Sequence, residues 1–265
     1  MKSLILVLAL SLIGCVNPYT KFYRTIADAK TMQGYVASSE PLKIYTTNDF
    51  QKDGDALVRK GYFPIGNASF NGASSKVTES QLRDQAEKVS AKVVLISSRY
   101  TNTVTGALPL VLPNTTTSYT TGSATAYGSG GMVNAYGNST TTTYGTQTTM
   151  MPYSVNRSDF SAVFFVKSRS RAGIIPVPID DAARKRIGTN SGLLVRVVID
   201  GSPAFNADIF PGDILLTVAS EKVVSQEQYS QLLNRYEGQS VTFHLDRDGQ
   251  PIEKTFRISS YKDPL

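Results

Sequence analysis

From residue 101 to residue 156 the chain carries no Asp, Glu, Lys, Arg or His. Threonine, serine, glycine, asparagine and tyrosine dominate, and Ala126-Tyr127-Gly128, Ala135-Tyr136-Gly137 and Thr143-Tyr144-Gly145 recur at spacings of nine and eight residues. A stretch of this composition cannot offset its ordering entropy by burying apolar surface of its own. It is either a mobile loop or a long hairpin whose threonines favour extended backbone. As low-complexity sequence it is either a polar arm for self-association or a variable insertion. In both cases the sheet begun before it is completed after it, by Val163-Phe164-Phe165-Val166 within residues 161–167.

The segment preceding the insertion alternates strand and helix signals. Leu42-Lys43-Ile44-Tyr45 reads as a strand, and Asn48 or Asp49 caps a helix that runs to about Arg59, with Phe50, Leu57 and Val58 near one face and Gly61 as a stop. Tyr62-Phe63-Pro64-Ile65-Gly66 leads into an extended piece ending around Phe70. A second helix is predicted over 78–90, with Leu82, Ala86 and Val89 on one stripe, and Val93-Val94-Leu95-Ile96 reads as a buried strand. Residues 38–168 are thus expected to form a small α/β sandwich with its helices on one face of the sheet and the insertion at 101–156. The chain as a whole is α+β.

Met1-Lys2 gives a short basic start, residues 4–12 are apolar, and Leu12-Ile13-Gly14-Cys15 closes the run at the only cysteine in the chain. The run is too short for a membrane-spanning helix, which needs about 20 apolar residues. These residues resemble a bacterial lipoprotein signal peptide with its lipobox. The resemblance implies removal of residues 1–14, a diacylglycerol thioether on Cys15 and acylation of the new amino group with a chain such as palmitate. Each acyl methylene in the bilayer contributes about 0.8 kcal/mol, so two or three chains hold the protein firmly. Residues 15–37 then read as a lipidated tether, and Val16 after the cysteine favours the outer membrane, facing the periplasm.

The last third of the chain has its own signature. In order it shows Ala172-Gly173-Ile174, Gly192-Leu193-Leu194-Val195, Gly201-Ser202-Pro203-Ala204 with Ala207, Pro211-Gly212-Asp213-Ile214-Leu215, a helix start at Ser225 and Arg247-Asp248-Gly249. Ser202-Pro203 starts a short helix, Ser225 with Gln228 is a capping-box pattern, and Asp248-Gly249 is a hairpin turn between strands at 241–245 and 254–258. Residues 169–265 on these grounds resemble an HtrA-type PDZ domain, which implies a PDZ-like β-barrel or sandwich with two helices. Such domains bind extended peptides by adding a strand to a sheet edge beside a helix. Carried over, the carboxylate loop is Arg171, Ala172, Gly173 and Ile174, the edge strand continues through Ile175 to Val177, and the helix wall offers Tyr229, Leu232 and Leu233. Spacing alone does not say which of these three face a groove and which a core. Pro176 and Pro178 depart from the pattern: if Ile174 holds the carboxylate, residue 176 should donate to the peptide, and proline has no N–H. Lys167, Arg169 and Arg171 lie beside the loop and either attract an anionic terminus or are simply solvated.

Catalytic chemistry finds little support. The sole histidine, His244, sits inside a strand, no Gly-Asp-Ser-Gly-like segment accompanies it, and histidine and cysteine are too scarce for a zinc site. Asp180-Asp181 reads as a helix start, and no phosphate-cradling glycine loop appears. The formal charge of +6 is mild, without the clustered stripe of a nucleic-acid binder. The expectation is therefore a non-enzymatic, lipid-anchored envelope protein, without cofactor, metal, nucleic acid or small-molecule substrate, whose PDZ-like domain docks a protein partner. The alternatives are a self-assembling structural component of the envelope and an accessory regulator of a periplasmic protease.

Overall fold

The structure, a computed structural model, describes residues 16–263. The signal-like segment and Cys15 lie outside the described residues. In chain order the elements are α1 (Pro18–Lys21), β1 (Tyr23–Thr25), β2 (Lys43–Thr46), α2 (Phe50–Arg59), β3 (Tyr62–Ala73), α3 (Glu79–Lys88), β4 (Val93–Gly128) and β5 (Gly131–Lys167). They are followed by β6 (Ile174–Pro178), α4 (Asp181–Ile187), β7 (Leu193–Val198), α5 (Pro203–Asn206), β8 (Ile214–Val218), β9 (Glu221–Lys222), α6 (Gln226–Arg235), β10 (Ser240–Arg247) and β11 (Gln250–Arg257).

The first sheet runs β1-β3-β5-β4-β2, with β2 parallel to β4 and β1 antiparallel to β3. Both its faces are covered, so the expectation of helices on one face is corrected. Val94, Phe164 and Val166 pack with Leu82 and Ala86 of α3 in one core, whereas Val93, Leu95 and Phe165 pack with Phe50 and Leu57 of α2 in another. The near-continuous apolar runs at 93–96 and 163–166 have this cause: successive side chains point to opposite faces, and both are dry. The helix caps follow the local sequence. Asp49 accepts from the backbone N–H groups of Gln51 and Lys52, and Thr78 and Gln81 form a reciprocal capping box.

Residues 17–36 are part of this body and not the free tether that the sequence suggested. Asn17 caps α1 and donates from Nδ2 to the Gln81 carbonyl at 2.6 Å. Tyr19 is buried edge-to-face on Phe70 at 5.1 Å, and β1 is an edge strand of the sheet. Thr20 satisfies Gln85, a glutamine buried under α3, at 2.7 Å. The tether reading failed because a four-residue helix and a three-residue strand are too short to show a period.

The second sheet runs β11-β10-β8-β7-β6, with β9 paired to β8, and all of these pairings are antiparallel. The strand path is open, ending at β6 and β11, so it is not a closed barrel. Its core is Leu193, Val195, Leu215, Phe243, Leu245 and Ile258 with the buried side of α6. Three helices accompany it where two were expected; the additional one is α4, capped by Asp180 and ended by Gly188 in the left-handed region, φ 68°. The two sheets have separate cores. They are joined by Arg196 to Asp55 at 2.9 Å and by the Asp200 N–H donating to the Arg59 carbonyl at 2.9 Å.

Residues 73–75 and 101–157 form a distinct compact unit. It is a two-stranded ribbon made of the distal parts of β4 and β5, turned by Ser129-Gly130. Nearly every side chain in it is exposed. Of the readings open for the uncharged stretch, the long hairpin is the one realised. One register holds along it. Thr125 meets Asn134 and Thr103 meets Asn156, each at 2.8 Å, and a Cβ on Gly106 would strike the Tyr153 ring lying across from it at 2.7 Å.

Candidate functional site

α6 lies beside β6 and touches it through Gln226. On α6, Tyr229, Leu232 and Leu233 fall on one stripe, and the structure places all three in the core. Their assignment to the groove wall is corrected: the helix uses its apolar stripe to seal the second sheet. Burial pushes the Tyr229 hydroxyl up, and that hydroxyl has no hydrogen-bond partner among the described residues.

On the strand, Ile174 and Pro176 are buried, Ile175 and Val177 half-buried and Pro178 exposed. β6 pairs with β7 on one side, with a bulge between Ile175 and Pro176, and no strand pairs with its other edge among the described residues. Gln226, the first residue of α6, closes that edge by donating from Nε2 to the Pro176 carbonyl. The rung at residue 176 is therefore lost twice over. The ring removes the donor, and the helix takes the acceptor.

The loop before β6 is also engaged. The Gly173 N–H donates to Ser170 Oγ at 3.0 Å. The carbonyls of Arg171, Ala172 and Gly173 accept from Ser259, Ala204 and Ile199 at 2.8–2.9 Å. Gly173 has φ +87° and lies against Ser202, whose Oγ would be 2.0 Å from an added Cβ, so only glycine fits here. Arg171 is 7% exposed. Its Nη1 donates to Asn234 Oδ1 near the end of α6, Glu237 lies 3.7 Å away, and the guanidinium sits over the Tyr261 ring at 4.9 Å. Its Nε has no partner among the described residues. The reading of Arg171 as a solvated cation is thus corrected. Gln226 and Asn234 are about 12 Å apart along the helix, so α6 is latched to the strand and its loop near both ends.

Lys167 and Arg169 line a cleft of about 380 Å³ with Lys60, Asp200 and Tyr261. Lys167 Nζ donates to the Lys60 carbonyl and lies 4.7 Å over the Tyr62 ring. Arg169 donates to the carbonyls of Tyr261 and Asp263. Both cations tie backbone segments together.

His244 Nδ1 lies 2.9 Å from Thr217 Oγ1, and its Nε2 lies 3.1 Å from Glu253. The connectivity is that of a nucleophile, base and carboxylate. The geometry is a cross-strand row, because Thr217, His244 and Glu253 are direct neighbours on β8, β10 and β11. Glu253 is exposed, and none of the three lines the cleft of Lys167 and Arg169. Among the described residues no cluster of His, Cys, Asp and Glu is arranged to hold a metal.

No known protein-family model matches the chain, and no curated protein matches it. Among solved structures, the chain is similar to the HtrA-type protease AlgW with decapeptide, at 18% identity over 38% of this chain and 38% of that chain, TM-score 0.31. It is also similar to the HtrA3 PDZ domain bound to a phage-derived ligand (FGRWV), at 20% identity over 34% of this chain and 83% of that one, TM-score 0.29. A PDZ domain protein from Parabacteroides distasonis matches at 11% identity over 78% and 74%, TM-score 0.21. The chain thus spans little more than a third of the AlgW chain's length. At such TM-scores these likenesses carry no argument, and what the structure itself shows is an edge strand, β6, preceded by a glycine loop and flanked by α6.

The residues that sequence reasoning missed are Gln226, Asn234 and Ser202. Gln226 carried one available signal, a side-chain amide directly after a helix cap at Ser225. Nothing local pointed to Asn234.

Proposed function

We propose that this chain is a non-enzymatic envelope protein, anchored by lipid on Cys15, whose PDZ-like sheet docks the end of a protein partner. The observation that carries the reading is β6: an edge strand without a second strand partner, preceded by a glycine loop and flanked by a helix. Because residue 176 offers neither donor nor free acceptor, docking is confined to the loop half of the groove, Arg171 to Ile175. A contact of one or two residues is weak. Anchoring to one surface compensates by raising the effective concentration of both partners.

The test is binding of a C-terminal peptide library to the full chain by fluorescence anisotropy. Saturable binding that requires a free carboxylate, and that tightens about tenfold in Gln226→Ala, supports the reading. No binding to parent or variant overturns it. Anchoring is tested separately by mass spectrometry of the envelope-extracted protein: a thioether-linked lipid on Cys15, lost in Cys15→Ser, is expected, and an unmodified cysteine refutes it.

A further inference from the structure

The ribbon formed by β4 and β5 has two edges, and among the described residues no other strand pairs with either along residues 115–150. Its single register sorts the residues into two classes. Pro109 and Pro113 of β4 lie opposite Met150 and Thr146, and Pro152 of β5 lies opposite Ala107. All three prolines therefore fall in the pair class of Thr103–Asn156 and Thr125–Asn134. A proline inside a ladder sits only where its nitrogen points away from the partner strand. That class consequently turns its N–H and C=O groups outward. The prolines interrupt the outward row at 109, 113 and 152, and the row is unbroken over 115–127 of β4 and 132–150 of β5.

The same register explains the tyrosine repeat. Tyr144 lies across from Thr115 and Tyr136 across from Ser123, so Tyr144, Tyr119, Tyr136 and Tyr127 succeed one another at every fourth position along one face, supplied by β5 and β4 in turn. The step is about 13 Å, and each ring is about 80% exposed, from 79% to 82%. The other face of this half carries small residues, among them Gly122, Ala124, Ala126, Ala135 and Gly137.

Natural sheet edges are guarded by charge, by proline or by a covering element. Here proline guards one half of the ribbon, and no charge guards either half. An uncharged edge is one that identical copies can bring together without like-charge repulsion. The open row over 115–127 is roughly 43 Å long at about 3.3 Å per residue, and a sheet layer is about 10 Å thick. One such contact covers on the order of 430 Å² on each copy, about 860 Å² in total, the size of a weak or transient interface, and a copy paired at both edges makes two of them.

We propose that the turn half of this ribbon pairs edge to edge with a second copy of the chain, the β4 edge of one copy against the β5 edge of the next. Because the two edges differ, the contact is heterologous and either closes into a ring or propagates. The tyrosine ladder then becomes a continuous aromatic face across copies.

The test is sedimentation velocity of the full chain over a hundredfold concentration range, with hydrogen exchange read residue by residue. Expected are oligomers at high concentration and new protection of alternate amides, those of Thr117, Tyr119, Thr121 and Ser123, with Thr116 and Thr120 unchanged. Thr121→Pro with Thr142→Pro, both in the outward class, should keep the hairpin protected and weaken assembly at least tenfold. A parent that stays monomeric throughout overturns the proposal. So does assembly unchanged in the double variant, or protection that does not alternate. Ribbon-dependent binding of a monomer to phosphatidylethanolamine–phosphatidylglycerol vesicles would also overturn it, in favour of a bilayer as the occupant.

Discussion

The molecule has two exposed strand situations that contrast sharply. β6 is short, carries two prolines and is held to α6 through Gln226, and the loop before it is held to the same helix through Arg171 and Asn234. The ribbon of β4 and β5 is long, exposed on both faces and, in its turn half, free of proline and of charge. Strand addition is thus restrained at an edge strand beside a helix and left open in a segment without a core. The contrast teaches that a sheet edge is defined by what occupies its outward donors and acceptors, not by the fold that contains it.

The contrast can be broken most directly at Arg171. Replacing it by methionine removes a buried guanidinium, leaves Asn234 Oδ1 without its donor and leaves Glu237 with Ser260 but without its cation. A loss of about 2–4 kcal/mol in denaturant unfolding is expected, with the loop before β6 gaining exchange. A loss under about 0.5 kcal/mol, the scale of an ordinary surface change, would mean that the loop is held by its backbone bonds alone.

A second effect, of about 1 kcal/mol and local to the ribbon, is expected from a proline of the wrong parity. Thr120→Pro removes an inward ladder bond and should abolish exchange protection on both sides of it, whereas Thr121→Pro should leave the hairpin intact. Equal damage from both would mean that the parity assigned from Pro109, Pro113 and Pro152 is wrong.

Gln226→Ala should cost at most about 1 kcal/mol, one net hydrogen bond, while freeing the Pro176 carbonyl and raising peptide affinity. Unchanged affinity would show that proline alone closes the edge.

The smallest effect is on acidity. Arg257 and the Ser260 N–H hold the Asp263 carboxyl below its ordinary value, and the Ser260 hydroxyl with Arg171 does the same for Glu237. Folded values below the unfolded ones mean that the stabilisation is present at neutral pH and is lost as pH falls through the folded values. Residues 259–263 should therefore loosen below about pH 4, the ordinary carboxylate range, while the ribbon, which has no titratable carboxylate from 101 to 156, should not respond. Amide shifts across an acid titration read both; a ribbon that loosens in step with residues 259–263 would show that the two regions are coupled.

Much of the scaffold was legible in the sequence. The caps at Asp49 and Ser225, the helix start near Thr78, the stop at Gly61 and the turn at Asp248-Gly249 all appear where local chemistry put them. Each depends on groups a few residues apart, so the sequence contains both partners. The second covered face of the first sheet was less visible, although the runs at 93–96 and 163–166 carried the signal: unbroken apolarity where a half-solvated strand would alternate. Residues 17–36 were not legible, since Tyr19 and Thr20 are fixed by Phe70 and Gln85.

By itself the sequence determined where α2, α3 and α6 begin, that residues 101–156 lack the means to build a core, and that residue 176 has no amide to give. Only the tertiary structure decided that Gln226 takes the carbonyl of that residue, that Tyr229, Leu232 and Leu233 turn into the core, and that tyrosines spaced nine and eight apart in the chain become an evenly stepped ladder. The reason is distance along the chain. Propensity and periodicity act between near neighbours, whereas Gln226 meets a strand 50 residues away and Asn234 an arginine 63 away, pairings that exist only once packing has brought their elements together.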